Sequence, residues 1–134
     1  MADFPAYLRS AVMAGLKSLD ASSRDETYAV SLFVYDDEDD PRRPTLTVGT
    51  NTESQVRLHD EGGDDLEVRW NYAYWLQNAL AVIGHEVADP VGAQLCRAWI
   101  ENQGLWFDDA RSEHETFGDL TFEHMIKWYS TPRP

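Results

Sequence analysis

The sequence predicts an α+β domain, and three observations lead to this class. A helical apolar repeat opens the chain, two runs rich in β-branched and aromatic residues follow it, and further helical repeats occupy the second half. This order favours a small antiparallel sheet packed with an N-terminal helix and three C-terminal helices. The chain has 134 residues and no linker-like tract, so one domain over residues 1–134 is expected.

The first helix is predicted over residues 4–19. Its apolar positions recur every three or four residues: Phe4, Leu8, Val12, Leu16 and Leu19. Asp3 is a suitable N-cap, and Pro5 is tolerated in the first turn because its missing N–H would have no helical partner. Residues 22–25 are polar and are expected to break the chain before the sheet.

Two strands are predicted at residues 27–35 and 45–50. The first run is almost entirely apolar, which indicates a central strand covered on both faces. The second alternates with period two and is expected to return as its antiparallel neighbour. Residues 36–40 are all acidic, so they are expected to form a solvated loop between the strands.

Residues 51–70 fit two patterns. Thr52 and Gln55 have capping-box spacing, which predicts a short helical turn at 52–57, followed by an edge strand near 66–69. Alternatively, apolar residues alternate with polar ones on both sides of residues 60–64, which would fit two strands joined there as a hairpin. We favour the first interpretation.

Three helices are predicted in the second half, at residues 71–83, 90–103 and 120–130. Tyr72, Leu76, Leu80 and Ile83 share one face of the first, and Gly84 can end it. Asp89-Pro90 provides an N-cap and a first-turn proline for the second. Because few residues join these two helices, we expect an antiparallel pair. Phe122, Met125, Ile126 and Tyr129 mark the last helix.

The formal net charge is −13 and the sequence pI is near 4.4. This charge opposes binding to nucleic acid or to an anionic membrane surface, and it favours encounter with a basic partner. Cys96 is the single cysteine, so an intramolecular disulfide is excluded and a buried thiol is expected. The chain shows no signal peptide and no apolar run long enough to span a membrane, so a cytoplasmic location is expected.

The sequence contains no recognisable catalytic or cofactor motif. It lacks GxSxG, GxxxxGK[ST] and GxGxxG, and its histidines do not share the helical spacing of a zinc site. We therefore predict no catalytic residue, no metal ligand and no cofactor. A small hydrolase or metal-dependent enzyme that uses His85, His114 or His124 is kept as a third hypothesis.

Two features point to protein binding. Acidic residues cluster in two stretches, and four aromatic residues fall within residues 70–75. On a helix these aromatics cannot all face one core, so Tyr72 is expected to point inward while Trp70 and Tyr74 are partly exposed, as binding anchors often are. The predicted partner-binding residues are Asp36, Asp37, Glu38, Asp39, Asp40, Asp64, Asp65, Glu67, Trp70 and Tyr74.

Residues 25–80 also resemble a family. The segments concerned are Tyr28-Ala29-Val30-Ser31-Leu32 with its acidic turn, Asn51-Thr52-Glu53, and Arg69-Trp70-Asn71-Tyr72-Ala73-Tyr74-Trp75. They resemble small bacterial proteins of an uncharacterised family found beside polymorphic toxins and other defence genes. The resemblance implies an immunity protein, which neutralises a toxin by steric and electrostatic occlusion, and it implies no catalytic residues.

The leading hypothesis is therefore an immunity or inhibitor protein. It would bind a basic toxin or nucleic-acid-directed enzyme through its acidic stretches, which imitate a nucleic-acid backbone. The alternative is a self-associating structural or regulatory domain, a homodimer in which exposed aromatic side chains mate with each other.

Overall fold

The structure is a computed structural model that describes residues 3–60, 62 and 65–109. The described part is an α+β fold, as predicted. Its elements, in chain order, are α1 (Phe4–Lys17), α2 (Ala21–Glu26), β1 (Thr27–Asp36), β2 (Pro44–Thr52), α3 (Glu53–His59), α4 (Asp65–Trp70), β3 (Ala81–Ile83) and α5 (Pro90–Asn102). Short 3₁₀ turns cover Asp37–Asp39 and Tyr72–Tyr74. The helix predicted at 120–130 lies outside the described residues.

The first helix begins as predicted. The Asp3 carboxylate accepts a hydrogen bond from the amide of Ala6 at 2.8 Å, and Pro5 lies in the first turn. The helix contacts β3 and α5, and Gly15 allows its close approach to Leu80 and Ala81. The predicted polar break at 22–25 is wrong, because Asp20 caps a short second helix by accepting from the amide of Ser23 at 2.7 Å.

The sheet is antiparallel with the order β1-β2-β3. The predicted antiparallel pairing of residues 27–35 with residues 45–50 is confirmed. β1 and β2 form a hairpin whose register pairs Leu32 with Val48. The prediction that residues 27–35 form the central strand is wrong, because among the described strands β2 occupies the centre and β1 lies at an edge. Side-chain burial follows this order: Val48 is 0% exposed, whereas Leu32 is 58% exposed. An apolar run can therefore occur in a half-exposed edge strand.

The helix predicted at 71–83 is absent, and so is its antiparallel pairing with α5. After the 3₁₀ turn the chain has no regular secondary structure until β3, and Gln77 has a φ of 55°. Side chains hold it there: the Asn51 carboxamide accepts from the amide of Leu76 at 3.2 Å, and the Asn78 carboxamide accepts from the amide of Thr50 at 2.9 Å. These tertiary hydrogen bonds outweigh the helical period of the apolar residues.

Residues 51–70 form two helices. The turn predicted at 52–57 is confirmed as α3, whose cap Thr52 accepts from the amide of Gln55. The edge strand predicted near 66–69 and the alternative hairpin are both wrong, since this segment is α4. Two 2.8 Å hydrogen bonds from the Arg69 guanidinium to the Glu53 carboxylate tie α4 to α3.

The helix predicted at 90–103 is confirmed as α5. Asp89 is its N-cap and accepts from the amide of Gly92, Pro90 opens it, and Gly104 follows with φ of 72°. Cys96 is buried on this helix, and burial raises the pKa of its thiol to about 11. The buried apolar side chains of the described core are Val48, Val56, Val68, Ile83, Cys96, Ile100 and Phe107.

Candidate protein-binding surface

The acidic stretch 36–40 is more ordered than the predicted solvated loop. Asp36 ends β1, the next three residues form a 3₁₀ turn, and Asp40 is only 7% exposed. Arg42 donates to both Asp40 carboxylate oxygens, with the shortest distance 2.8 Å. Burial opposes the charge on Asp40, but the hydrogen bonds from Arg42 outweigh it and lower the pKa of that carboxyl group.

Arg42 in turn connects the hairpin to the end of the described chain. Its guanidinium lies 2.7 Å from the carboxylate of Asp109, donates to the backbone carbonyl of Phe107, and lies 4.8 Å from the centroid of the Phe107 ring. The buried Asp40–Arg42 pair therefore fixes the hairpin turn. Asp40 was predicted to contact a partner, but its position assigns it a structural role.

Two other acids of this stretch are also engaged within the protein. Glu38 forms a 2.9 Å ion pair with Arg43, and Asp37 lies 3.7 Å from the ring of His85. Asp36 and Asp39 are exposed at the surface. Desolvation and repulsion from Asp40 and Asp39 raise the pKa of Asp36. The outward-facing charge of the hairpin thus comes mainly from Asp36 and Asp39.

The second acidic stretch is only partly described. Asp64 lies outside the described residues, and Asp65 opens α4. Glu67 is exposed on α4. It lies one helical turn before Trp70, so the two side chains share a face of this helix.

Six aromatic side chains form a continuous row across the surface that joins β1 to α4. Tyr28 meets Trp70 edge-on with ring centroids 5.7 Å apart, and it meets Trp75 at 6.4 Å. Tyr72 packs against Trp75 at 5.6 Å and stacks on Phe33 at 5.8 Å with an interplanar angle of 9°. Phe33 also stacks on Tyr35. The row, in spatial order, is Trp70, Tyr28, Trp75, Tyr72, Phe33 and Tyr35.

Three members of the aromatic row are exposed: Trp70, Tyr72 and Phe33. Trp70 is the most exposed of them at 63%, in agreement with its predicted position at the surface. Tyr72 is exposed, so the prediction that it points inward is wrong, whereas Tyr74 is partly exposed as predicted. Tyr74 is half-buried against the ring of His59, because the segment is a 3₁₀ turn instead of an α-helix.

Phe33 and Tyr35 were not predicted as site residues, since residues 27–35 were expected to be covered on both faces. Their alternate spacing is the signal that could have found them. Side chains two residues apart on a strand share one face, so an exposed edge strand would present both. The spacing shows that Phe33 and Tyr35 share a face, but only the position of β1 in the sheet shows that this face is not covered.

Hydrogen bonds hold the aromatic row in place from behind. The hydroxyl of Tyr28 donates to the backbone carbonyl of Arg69 at 2.7 Å and accepts from the carboxamide of Asn51 at the same distance. The indole N–H of Trp75 donates to the same Arg69 carbonyl at 2.9 Å. The Arg69 guanidinium, fixed by Glu53, lies 4.6 Å from the centroid of the Tyr28 ring. The exposed rings are therefore supported by buried polar contacts.

A cavity of about 600 Å³ lies near the hairpin turn and the start of α5. Arginines and acids line it together, among them Arg42, Arg43, Glu86 and Arg97. Arg97 is paired with Glu101, and its guanidinium lies 4.3 Å from the centroid of a Trp106 ring. Several of the lining charges form ion pairs with each other, such as Arg42 with Asp40 and Arg43 with Glu86.

The histidines do not form a metal site within the described residues. Nδ1 of His85 accepts from the amides of Val87 and Ala88, so this side chain caps a turn. His114 and His124 lie outside the described residues. Across residues 3–60, 62 and 65–109, no group of three or more His, Cys, Asp or Glu side chains could hold a metal ion. In the same part of the chain, no helix is both long and apolar enough to cross a membrane.

No protein-family model, curated protein or solved structure matches the chain.

Proposed function

We propose that this chain is an acidic protein-binding domain, an inhibitor of the immunity type that occludes a basic toxin or nucleic-acid-directed enzyme. The observation that carries the proposal is the exposed aromatic row with acidic residues at both ends. Asp36 and the exposed Asp39 lie at the end of the strand that carries Tyr35, and Trp70 follows Glu67 by one helical turn. An apolar centre with a charged rim is the usual composition of a protein interface.

The aromatic row supplies the expected anchors. Trp and Tyr are enriched among interface residues whose truncation costs the most binding energy. Here the row is held by Asn51, Arg69 and Glu53, so few side-chain rotations would be lost on binding. Preorganisation of this kind improves affinity by lowering the entropic cost of association. Trp70, Tyr72 and Phe33 are therefore the principal contact residues of the proposal.

The acids at the rim supply long-range attraction. Asp36, Asp39 and Glu67 face solvent, and the net charge of −13 adds to their field. Such charges chiefly accelerate encounter with a partner of opposite sign and suppress binding to acidic proteins. Asp40 and Glu38 contribute less, because Arg42 and Arg43 neutralise them within the hairpin.

The family resemblance supports the same surface. Tyr28 belongs to the first resembling segment, and Trp70 to the last. Asn51 and Glu53, from the segment between them, hold Tyr28 and Arg69 in position. The residues that resemble proteins encoded beside polymorphic toxins are thus largely those that build and support the aromatic row.

Affinity capture with matched baits tests the aromatic part of the proposal. The immobilised chain, its W70A/F33A variant and an L58A/V87A control are incubated with lysate of the source cells, and retained proteins are identified by mass spectrometry. Leu58 and Val87 are exposed apolar residues that are not members of the row, so the control truncates apolar side chains elsewhere on the surface. We expect one basic protein on the wild-type and control baits at low salt, weakened at high salt and lost from W70A/F33A. Equal retention on all three baits would exclude the row as the contact surface.

Association kinetics with the captured protein test the acidic rim. The D36N/D39N variant should associate more slowly at low salt and show a weaker salt dependence, while its dissociation rate stays close to that of the wild type. The D25N/E101Q control removes the same charge from exposed positions on α2 and α5. An association rate as slow in the control as in D36N/D39N would mean that net charge, and not the rim, directs the encounter.

A further inference from the structure

The outer edge of β1 carries backbone groups that pair with no other strand of the described residues. The carbonyl of Val48 accepts from the amide of Leu80 at 2.8 Å, and the amide of Thr50 donates to Asn78, so these β2 residues point their backbone groups away from β1. Their partners across the ladder are Leu32 and Val30. In an antiparallel ladder such pairs exchange no hydrogen bonds, so Val30, Leu32 and Val34 direct their N–H and C=O groups outward.

This edge carries few of the features that prevent strands from pairing. Residues 29–35 contain no proline and no charged residue, and the ladder irregularity is confined to the start of the strand, between Thr27 and Ala29. Leu32 and Val34 are 58% and 61% exposed. Within the described part of the chain, no other strand pairs with this edge. Long apolar edges of this kind are templates for another strand.

We propose that β1 of a second copy of this chain pairs antiparallel with this edge, about a two-fold axis at Leu32. In this register Leu32 faces Leu32 of the second copy, and Val30 faces its Val34, so one face of the new ladder is apolar throughout. On the other face Ser31 lies opposite Phe33, and Ala29 lies opposite Tyr35. Each large ring therefore meets a small side chain, which makes the strand sterically complementary to itself.

Charge at the two ends of β1 favours the second copy as the occupant. Lys17 and Arg24 line a groove beside Thr27 and Val30, at the start of the strand. Asp36 and Asp39 are exposed at its end. An antiparallel two-fold arrangement places the start of one strand beside the end of the other, so the cations of each copy approach the acids of its neighbour. Of the acids near these cations, Asp20 is engaged as the cap of α2 and Glu26 is paired with Arg57, while Asp25 is exposed.

The dimer would join two three-stranded sheets into one of six strands. A two-fold axis perpendicular to the sheet keeps equivalent faces on the same side, so the two aromatic rows would adjoin each other. The inference does not depend on the proposed inhibitor function, since it requires only the chain itself. Its test uses the purified protein alone and so gives a result whether or not the partner proposal holds.

Sedimentation equilibrium over a wide concentration range measures the mass against that of the 15.3 kDa monomer. We expect the wild-type chain to dimerise and the L32K variant to remain monomeric, since the variant places two lysines opposite each other at the axis. L58K is the matched control, because Leu58 is exposed on α3 and does not belong to β1, and it should dimerise like the wild type. A wild-type chain that is monomeric at every concentration overturns the proposal.

Amide hydrogen exchange tests the geometry in the wild-type chain without any substitution. In the dimer the amides of Val30, Leu32 and Val34 become hydrogen-bonded, so their exchange should slow as the concentration rises. The amides of Ser31 and Phe33 already bond to β2 and should change little. A dimer in which the outward amides stay unprotected, or which W70A/F33A disrupts and L32K does not, overturns edge pairing and indicates mating of the aromatic rows.

A charge-reversal cycle tests the register. R24E and D36R should each raise the dimer dissociation constant, and the R24E/D36R double variant should recover part of the loss, because the opposite charges meet again between copies. Circular dichroism verifies that each variant is folded. Losses that simply add in the double variant would overturn this register.

Discussion

At Asp89 a single carboxylate connects three elements. It accepts hydrogen bonds from the hydroxyl of Tyr7 in α1, from the amide of Gly84 after β3, and from the amide of Gly92 in α5. Burial disfavours its charge, but the hydrogen bonds from Tyr7, Gly84 and Gly92 together hold the pKa of Asp89 below its usual value. Gly92 has no side chain, and a Cβ there would collide with this carboxylate.

The D89N variant should lower the free energy of unfolding at neutral pH by about 1–3 kcal/mol, because it weakens three charge-assisted hydrogen bonds. Since the native pKa is depressed, the contribution of Asp89 is fully present above the unfolded pKa of about 3.9 and is lost as the pH falls through the native value. Urea unfolding at pH 7 and near pH 3 should show the difference from wild type shrinking in acid. D25N, at an exposed position, should cost little at either pH. A loss for D89N that is constant with pH would contradict the charge-dependent account.

At the scale of elements, polar side chains on β2 decide where the following segment runs. Asn51 is fully buried, and its carboxamide bonds both the amide of Leu76 and the hydroxyl of Tyr28. One residue earlier on β2, Thr50 exchanges two hydrogen bonds with the carboxamide of Asn78. These asparagines act as short bridges between β2 and the irregular segment before β3. The same contacts position Trp75 and Tyr72 within the aromatic row.

Replacement of Asn51 by alanine should therefore loosen a whole segment. Loss of the hydrogen bonds that the buried Asn51 carboxamide makes with the Leu76 amide and the Tyr28 hydroxyl is expected to cost about 1–3 kcal/mol of stability. Thermal or urea unfolding measures that loss, and faster exchange of the Leu76 amide would locate it. N102A removes an exposed asparagine at the end of α5 and should be nearly neutral. If N51A destabilises the fold but leaves the Leu76 amide as protected as before, the bridging role is wrong.

For the whole molecule, the dominant electrostatic fact is the net charge of −13. Like charges across the surface repel, and that repulsion opposes the compact state. Arginines form ion pairs with some of the acids, as in Glu26–Arg57 and Glu53–Arg69. Such partly exposed pairs contribute little to the free energy of unfolding. Salt is consequently expected to stabilise the fold, because it weakens the repulsion between acids more than it weakens the ion pairs.

The melting temperature should rise as NaCl increases from about 0.01 M to 0.5 M, because the Debye length falls from about 30 Å to well under 10 Å. Differential scanning calorimetry at one low protein concentration keeps self-association out of the comparison. The less acidic D25N/E101Q variant should show a smaller rise. A melting temperature that falls with salt would mean that the ion pairs outweigh the repulsion.

The sequence determined the features that depend on neighbouring residues. Asp3 with Pro5 and Asp89 with Pro90 mark the starts of α1 and α5, because capping and proline geometry act within one helical turn. The β-branched runs on either side of the acidic turn likewise predict the hairpin and its pairing. The sequence also shows four aromatic residues within 70–75, and Trp70 is exposed as expected, although the segment after it is not the predicted helix.

Only the tertiary structure decided which strand lies at the centre and which aromatic rings face solvent. The apolar content of residues 27–35 is the same at an edge as in the middle of a sheet, and the short β3, which sequence periodicity placed in a helix, pairs with β2 and leaves β1 outside. Residues 71–83 follow the hydrogen bonds of Asn51 and Asn78, which lie 25 and 28 residues from their partners Leu76 and Thr50. Local pattern carries no information about such distant contacts, and they are what assemble the aromatic row.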